Sequence, residues 1–388
     1  MVPGHLSQKN DKYYMVLELK DQNGKRQVKW IATGLSVKGN KRRAENMLQE
    51  ARRRYTNGIK VKDDEMLFSE LLLKWLPIVK PKLAITTYAS YESAVNKIIV
   101  PYFKKKGTKL SKLSAMQLDE FYTIQSARVS QSTVLHYHNI IHKALKYAYK
   151  NKLIKSNPAD DAERPHPQKF EAGFYTSAEI SKLFQLVKGT KLEIPVLLAA
   201  FYGLRRSEVV GLKWSAVNFT QNTISIKHTI TTCYINGERV TTAKDRTKNE
   251  SSNRTLPLVP AVKERLLELK AQQNELQRVC KKSYCTDYLD YICVDQLGHL
   301  IKPDYITDAF PRLLEKNGMR RIRFHDLRHS CASLLLENNV PMKEIQEWMG
   351  HSDFSTTANI YAHLEYKAKI SSANAMAEGL SEALANLK

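Results

Sequence analysis

His325-Asp326-Leu327-Arg328-His329-Ser330 is the stretch from which the rest of the chain can be read. On a helix His325 and Arg328 stand at i and i+3, so they share a face. Both can donate to a single anion, and the planar guanidinium fork suits a phosphate. Other segments point the same way. Upstream, Tyr202-Gly203-Leu204-Arg205-Arg206-Ser207-Glu208 sets an arginine just after a glycine that permits a tight turn. Thr247-Lys248-Asn249 places a lysine in a polar turn, and Arg254-Thr255-Leu256-Pro257-Leu258 follows as a strand. Downstream, Met349-Gly350-His351-Ser352 sets a histidine directly after a glycine stop, and Tyr361 follows it by ten residues. Taken singly, each is ordinary: a surface arginine, a solvated lysine, a surface His–Arg pair, a packed tyrosine.

The composition frames these motifs. The chain has 388 residues, enough for two or three domains, with 43% hydrophobic and 26% charged residues, as in a folded protein. Its formal net charge is +22, which favours a polyanionic partner, either nucleic acid or an anionic membrane surface. The charge is uneven: +9 over residues 1–63, +7 over 64–165 and +6 over 166–388. The electrostatic grip therefore belongs to the first 165 residues. The apolar stretch Ile194 to Leu204 is too short to span a bilayer. The N-terminus lacks the apolar core of a signal peptide, and five cysteines, an odd number, do not form a disulfide framework. The expectation is a cytoplasmic protein with reduced thiols and no membrane partner.

Residues 11–34 read as a hairpin turning at Asn23-Gly24 and closed by Gly34, followed by a basic helix over 40–57 that stops at Asn57-Gly58. From Phe68 to Asn157 the pattern is helical and predicts a four-helix bundle. In that reading Pro77 and Pro81 interrupt the first helix. Thr86 or Thr87 caps the second, which ends before Pro101. Asn157-Pro158 and Arg164-Pro165-His166-Pro167 form a stiff linker and the clearest boundary. Thr176-Ser177-Ala178-Glu179 has the form of a capping box. Residues 223–258 are extended around an Asn236-Gly237 turn, and helices return from Ala261 to the end.

Arg, Lys, His-x-x-Arg, His and Tyr, in this order and spacing, resemble the tyrosine recombinase family of the phage-integrase type. The resemblance extends over nearly the whole chain. It implies a multidomain protein, mainly α with small β parts. Residues 1–63 would be an arm-type DNA-binding domain of one sheet and one helix, and 64–165 a helical, SAM-like core-binding domain. Residues 166–388 would be an α+β catalytic domain with a C-terminal tail helix. The implied activity is site-specific recombination that integrates and excises a mobile element. A type IB topoisomerase-like nicking and resealing enzyme shares the chemistry, and a non-catalytic DNA-binding protein is the alternative of another class.

The resemblance also assigns roles. Tyr361 would attack the scissile phosphate and form a 3′-phosphotyrosine. A phenol of pKa about 10 needs a base or strongly positive surroundings to do so. Arg205 and Arg328 would clamp the non-bridging oxygens. Lys248 would protonate the leaving 5′ oxygen, His325 would assist proton transfer at the tyrosine, and His351 would hydrogen-bond the phosphate. Glu208 and Asp326 would hold the arginine clamp and the His-x-x-Arg helix. Lys244 is the competing lysine, but Lys248 fits the family pattern better. No cofactor, metal or ATP is expected. Cys280, Cys285, Cys293 and His299 lack the spacing of common zinc sites. Expected partners are double-stranded DNA at core and arm sites and three further copies in a tetramer, with a host DNA-bending protein and an excision factor as candidates. The tail, about Ala368 to Leu387, reads as an amphipathic helix that packs on its own domain or on a neighbouring protomer.

Overall fold

The backbone follows two different periodicities in the two halves of the first unit. The structure, a computed structural model, describes residues 3–20, 26–56, 66–167, 173–245, 253–351, 373 and 376–380. The chain divides into two units, Met1–Lys169 and Phe170–Lys388.

The first unit opens with three antiparallel strands, β1 (Gly4–Lys9), β2 (Lys12–Lys20) and β3 (Arg26–Ser36), in the order β1-β2-β3. Only β2 and β3 were expected. The extra strand is turned by Asn10 and Asp11, both at positive φ, a turn that their short polar side chains tolerate. Gly34 lies inside β3 and does not end the sheet. The Asn23-Gly24 turn falls outside the described residues. Helix α1 (Lys41–Thr56) covers one sheet face, where Met15 and Leu17 meet Leu48 and Ala51. The Asn57-Gly58 stop also lies outside the described residues.

The helical part comprises α2 (Phe68–Val79), α3 (Ile85–Ala94), α4 (Val100–Lys106), α5 (Ala115–Ser126) and α6 (Gln131–Lys150). Ser114 and Ser130 cap α5 and α6 through their hydroxyls. Three expectations need correction. Pro77 sits within α2, because it lies on the exposed face where the carbonyl it leaves unpaired can be hydrated. Helix α3 starts at Ile85 after Ala84, with no threonine cap. Pro101 does not end that helical stretch. A π-turn over Val95–Ile99 re-phases the backbone and puts Pro101 in the first turn of α4, where a missing N–H costs nothing. An aromatic cluster fills the core: Phe103 lies 4.9 Å from Phe68 and 5.3 Å from Phe121, ring centre to ring centre. The segment after α6 returns to the bundle, where Asp160 meets His142 at 2.7 Å and the Glu163 amide donates to Asp119 at 2.8 Å.

The second unit begins with α7 (Ser177–Val187), capped reciprocally by Thr176 and Glu179 as read from the sequence. Helices α8 (Glu193–Tyr202) and α9 (Arg206–Gly211) follow. Strands β4 (Val217–Asn218), β5 (Thr223–Ile226) and β8 (Arg254–Pro257) form one sheet, while β6 (Thr229–Ile235) and β7 (Glu238–Lys244) form a hairpin turning at Asn236-Gly237. Helix α10 (Pro260–Cys280) comes next. Helices do not continue unbroken from there. Between α10 and α11 (Pro303–Lys316) the chain makes bridges at Tyr291 and Val294, and Asp295 accepts from the amides of Leu297 and His299 in a turn completed by Gly298. That Asx-type turn competes with helix. Helices α12 (Asp326–Glu337) and α13 (Met342–Met349) end the well-described part. The core runs through Leu198, Val209, Ile224, Leu266, Phe310 and Leu327.

The aromatic cluster should dominate the stability of the helical part. Phe121→Ala is expected to cost about 3–5 kcal/mol, read as a lower denaturant midpoint by tryptophan fluorescence.

Candidate active site

Two helix ends build the site. Helix α8 stops at Gly203 and α13 stops at Gly350, both in the left-handed conformation at φ +63°. Such ends leave carbonyls without intrahelical partners, at the negative pole of the helix dipole. Arg328, on α12, takes both ends. Its Nη1 donates to the Gly203 carbonyl and its Nη2 to the Met349 carbonyl, each at 2.5 Å. Arg205, at the cap of α9, donates through Nη2 to the Gly350 carbonyl at 3.2 Å. A side chain at Gly203 would be strained by the positive φ and would press on Met349, 2.5 Å from the added carbon.

Glu208 sits beneath the arginines, 1% exposed. It accepts from Arg205 Nη1 at 2.7 Å, from the Arg205 amide at 3.0 Å and from Arg254 Nη2 at 3.2 Å. Burial opposes its ionisation, but Arg254, Arg205 and the Arg205 amide together hold its carboxyl below the usual range. Arg328 is 2% exposed. Burial first, and then Arg205, lower its pKa to about 9, with Glu208 opposing. Among the described residues one carboxylate thus faces three guanidiniums, an excess of positive charge. A guanidinium has five N–H donors, so Arg328 can bind an anion without releasing the carbonyls.

The histidines follow the same field. His351 is 8% exposed, fixed by reciprocal bonds between its backbone and Gln346. Burial, then Arg328 and Arg205, push its pKa down to about 3. His325 stands at the N-terminus of α12 with its ring facing outward. Partial desolvation, then His329 and Arg328, lower it to about 4. Both imidazoles are neutral near pH 7 and can accept a proton. Asp326 does not touch Arg328. It accepts from the Arg323 amide at 2.7 Å and from the Arg323 guanidinium, closing the turn into α12.

The structure therefore brings Arg205, His325, Arg328 and His351 together. Lys248 and Tyr361 lie outside the described residues, as does nearly all of the tail from 368. Lys244, the competing lysine, ends β7 and is exposed. Sequence reasoning missed Arg254 as a partner of the clamp. The signal was present in Arg254-Thr255-Leu256-Pro257-Leu258, an arginine opening an otherwise apolar strand. The zinc alternative finds no support among the described residues, where no cluster could hold a metal. Cys293 is a buried thiol pushed up to about 12. Among the described residues no helix is long and apolar enough to cross a membrane.

Buried Arg328, half-buried Arg205 and two histidines form a cationic site on a mainly helical frame, suited to an anion such as a phosphate. A family model described as the phage integrase family matches residues 174–368, and one described as its N-terminal SAM-like domain matches 67–124. The chain belongs to the phage integrase family, the tyrosine recombinases, and its activity is the breaking and rejoining of DNA strands. It is 27% identical over 345 residues to a tyrosine recombinase XerC-like protein of Caldanaerobacter subterraneus subsp. tengcongensis, covering 85% of this chain and 87% of that one. To the ICEBs1 integrase of Bacillus subtilis it is 23% identical, covering 71% and 73%. Its fold is similar to that of the Tn1549 transposon integrase in complex with transposon right end DNA, with TM-score 0.64, 19% identity, and 81% and 100% coverage. A lambda integrase tetramer bound to a Holliday junction matches with TM-score 0.59, 15% identity, and 92% and 94% coverage.

Glu208→Gln should leave buried guanidiniums without their counter-charge and cost about 3 kcal/mol at neutral pH. Because the folded carboxyl is depressed, this stabilisation is full above the unfolded value near 4.3 and is lost as pH falls through the lower folded value. Thermal melts of the two proteins should converge in acid.

Proposed function

We propose that this recombinase is an integrase that inserts and excises a mobile element through a 3′-phosphotyrosine intermediate at Tyr361. The observation that carries the reading is the pair Arg205 and Arg328, held on helix-end carbonyls around the buried Glu208, where guanidiniums outnumber carboxylates among the described residues. A phosphodiester relieves that excess. It gains further in the transition state, where negative charge on its oxygens grows.

In this reading Tyr361 attacks phosphorus, its phenol proton passes to His325, and a P–O bond to the 5′ oxygen breaks. Lys248 supplies the proton that this oxygen takes. His351 hydrogen-bonds a non-bridging oxygen. Resealing runs the same steps in reverse, so no external energy source is needed. Described residues on either side of Lys248 are held by side-chain bonds. Asp245 meets His228 at 2.6 Å, and Arg254 bonds Glu208.

The reading divides the first unit into two DNA-binding modules, 1–63 for arm sites and 64–165 for core sites. The sheet face away from α1 supports the first. It exposes Trp30 and Val28, with Tyr14 edge-on to Trp30 at 6.3 Å, within the most basic part of the chain. Solved relatives include an integrase on transposon end DNA and a tetramer on a Holliday junction, which favours a tetramer of this chain on paired DNA sites. A host bending protein and an excision factor complete the reading, which places the enzyme in the cytoplasm beside host DNA.

Tyr361→Phe should bind the element's end as the parent does and form no covalent adduct with a nicked suicide duplex on a denaturing gel. Adduct formation by that variant would move the nucleophile elsewhere. The isolated segment 1–63 should bind duplex DNA at low salt, with affinity falling steeply as salt rises. Absence of binding removes the arm assignment.

A further inference from the structure

Glu208 is held from a direction that the residues clamping the phosphate do not supply. Arg254 opens β8, opposite Ile226 of β5, and its side chain is 6% exposed against 33% for Arg205. A guanidinium so enclosed presents little to a duplex. Its Nη2 reaches across to α9 and donates to Glu208 Oε2 at 3.2 Å. The same oxygen accepts from the Arg205 amide at 3.0 Å, and Oε1 accepts from Arg205 Nη1 at 2.7 Å. The other nitrogen of that fork, Nη2, donates to the Gly350 carbonyl at 3.2 Å. The two carboxylate oxygens thus have different partners. Oε2 is tied to backbone and to β8, and Oε1 meets the clamp.

A carboxyl group turns about its last bond with little preference for one angle. A bond to Oε2 from a second element removes that freedom. With Oε1 fixed in turn, the planar guanidinium of Arg205 is pinned at both nitrogens of its fork. Stability alone is a poor account of Arg254, because a buried ion pair often returns little more than its desolvation costs. Burial is the largest influence on this guanidinium and lowers its pKa, and the attraction of Glu208 opposes it. Fixing one geometry is the use for which such pairs are best attested.

We propose that Arg254 is a positioning residue for DNA strand cleavage: by holding Glu208 Oε2 from β8, it keeps Oε1 on Arg205 Nη1 and so sets the plane of the guanidinium that receives the phosphate. The proposal rests on the reading of Arg205 as a phosphate clamp. Arg254 acts through Glu208 and Arg205 and does not itself touch the reacting atoms.

The test is covalent adduct formation by the full chain, in excess over a nicked suicide duplex that it binds. With protein in excess and the duplex saturated, the first-order rate constant reports the folded, bound enzyme. Misfolded protein lowers only the concentration available for binding. Arg254→Met, neutral and of similar girth, should lower that constant about tenfold, the loss expected when a charge-assisted hydrogen bond no longer orients the clamp. The Kd for the duplex should stay within about threefold of the parent, since many other phosphate contacts set it. Arg254→Lys, which keeps a charged donor, should recover most of the rate. A parent-like rate constant in Arg254→Met, or a loss confined to Kd, overturns the proposal. A lysine variant as slow as the methionine variant assigns the position to side-chain shape and overturns it too. Should Arg254→Met not fold, Arg254→Gln, neutral but polar, takes its place with the same expectation. Arg205→Gln separates the two failures. A parent-like constant there removes the clamp reading itself, whereas a slow Arg205→Gln beside an unaffected Arg254→Met removes only the role of Arg254.

Discussion

A guanidinium held inside the catalytic unit is the constraint on which the rest depends. Burying a charge is costly unless it is bonded and balanced. Arg328 is bonded by two carbonyls that exist only because α8 and α13 each end at a left-handed glycine. It is balanced only in part, since Glu208 already serves Arg205 and Arg254. Among the described residues the fold therefore gathers more guanidiniums than carboxylates at this site. Rigid donors that need no reorganisation when charge develops are what phosphoryl chemistry asks of a protein.

The same field explains the histidines. In water an imidazole near pH 6.5 is partly protonated at neutral pH. Beside these arginines, and away from solvent, His351 falls to about 3, and His325 at the rim falls to about 4. Both become neutral acceptors without any dedicated base to deprotonate them. Charge is thus divided along the chain. The first unit carries most of the net positive charge on its surface, where it can grip DNA. The second carries a smaller net charge and groups Arg205, Arg254 and Arg328 near the buried carboxylate of Glu208.

Much of the architecture was legible, for local reasons. Thr176 caps α7 because its hydroxyl reaches the Glu179 amide three residues on, a short-range geometry visible in sequence. Asn236-Gly237 turns the β6–β7 hairpin because both residues accept positive φ. The misreadings arose where context overrode a local rule. Pro77 is harmless on an exposed helix face. Pro101 is harmless because a π-turn precedes it. The strand β1 carries little hydrophobic alternation, and its partner β2 holds it in place.

The sequence by itself determined the family, and it proposed an order of modules and a set of phosphate-binding groups. Residue type and spacing along a helix already restrict which side chains can share a face and bind one anion. Only the tertiary structure decided how those groups are charged and held. Arg254 reaches Glu208 across 46 positions, and Arg328 reaches the Gly203 carbonyl across 125. Such contacts leave no periodicity to read. The burial that lowers the histidines, and the Glu208 carboxylate shared between arginines, exist only once α8, α9, α12, α13 and β8 converge. Electrostatic energies depend on distance and on excluded water, and neither is defined until the chain has folded.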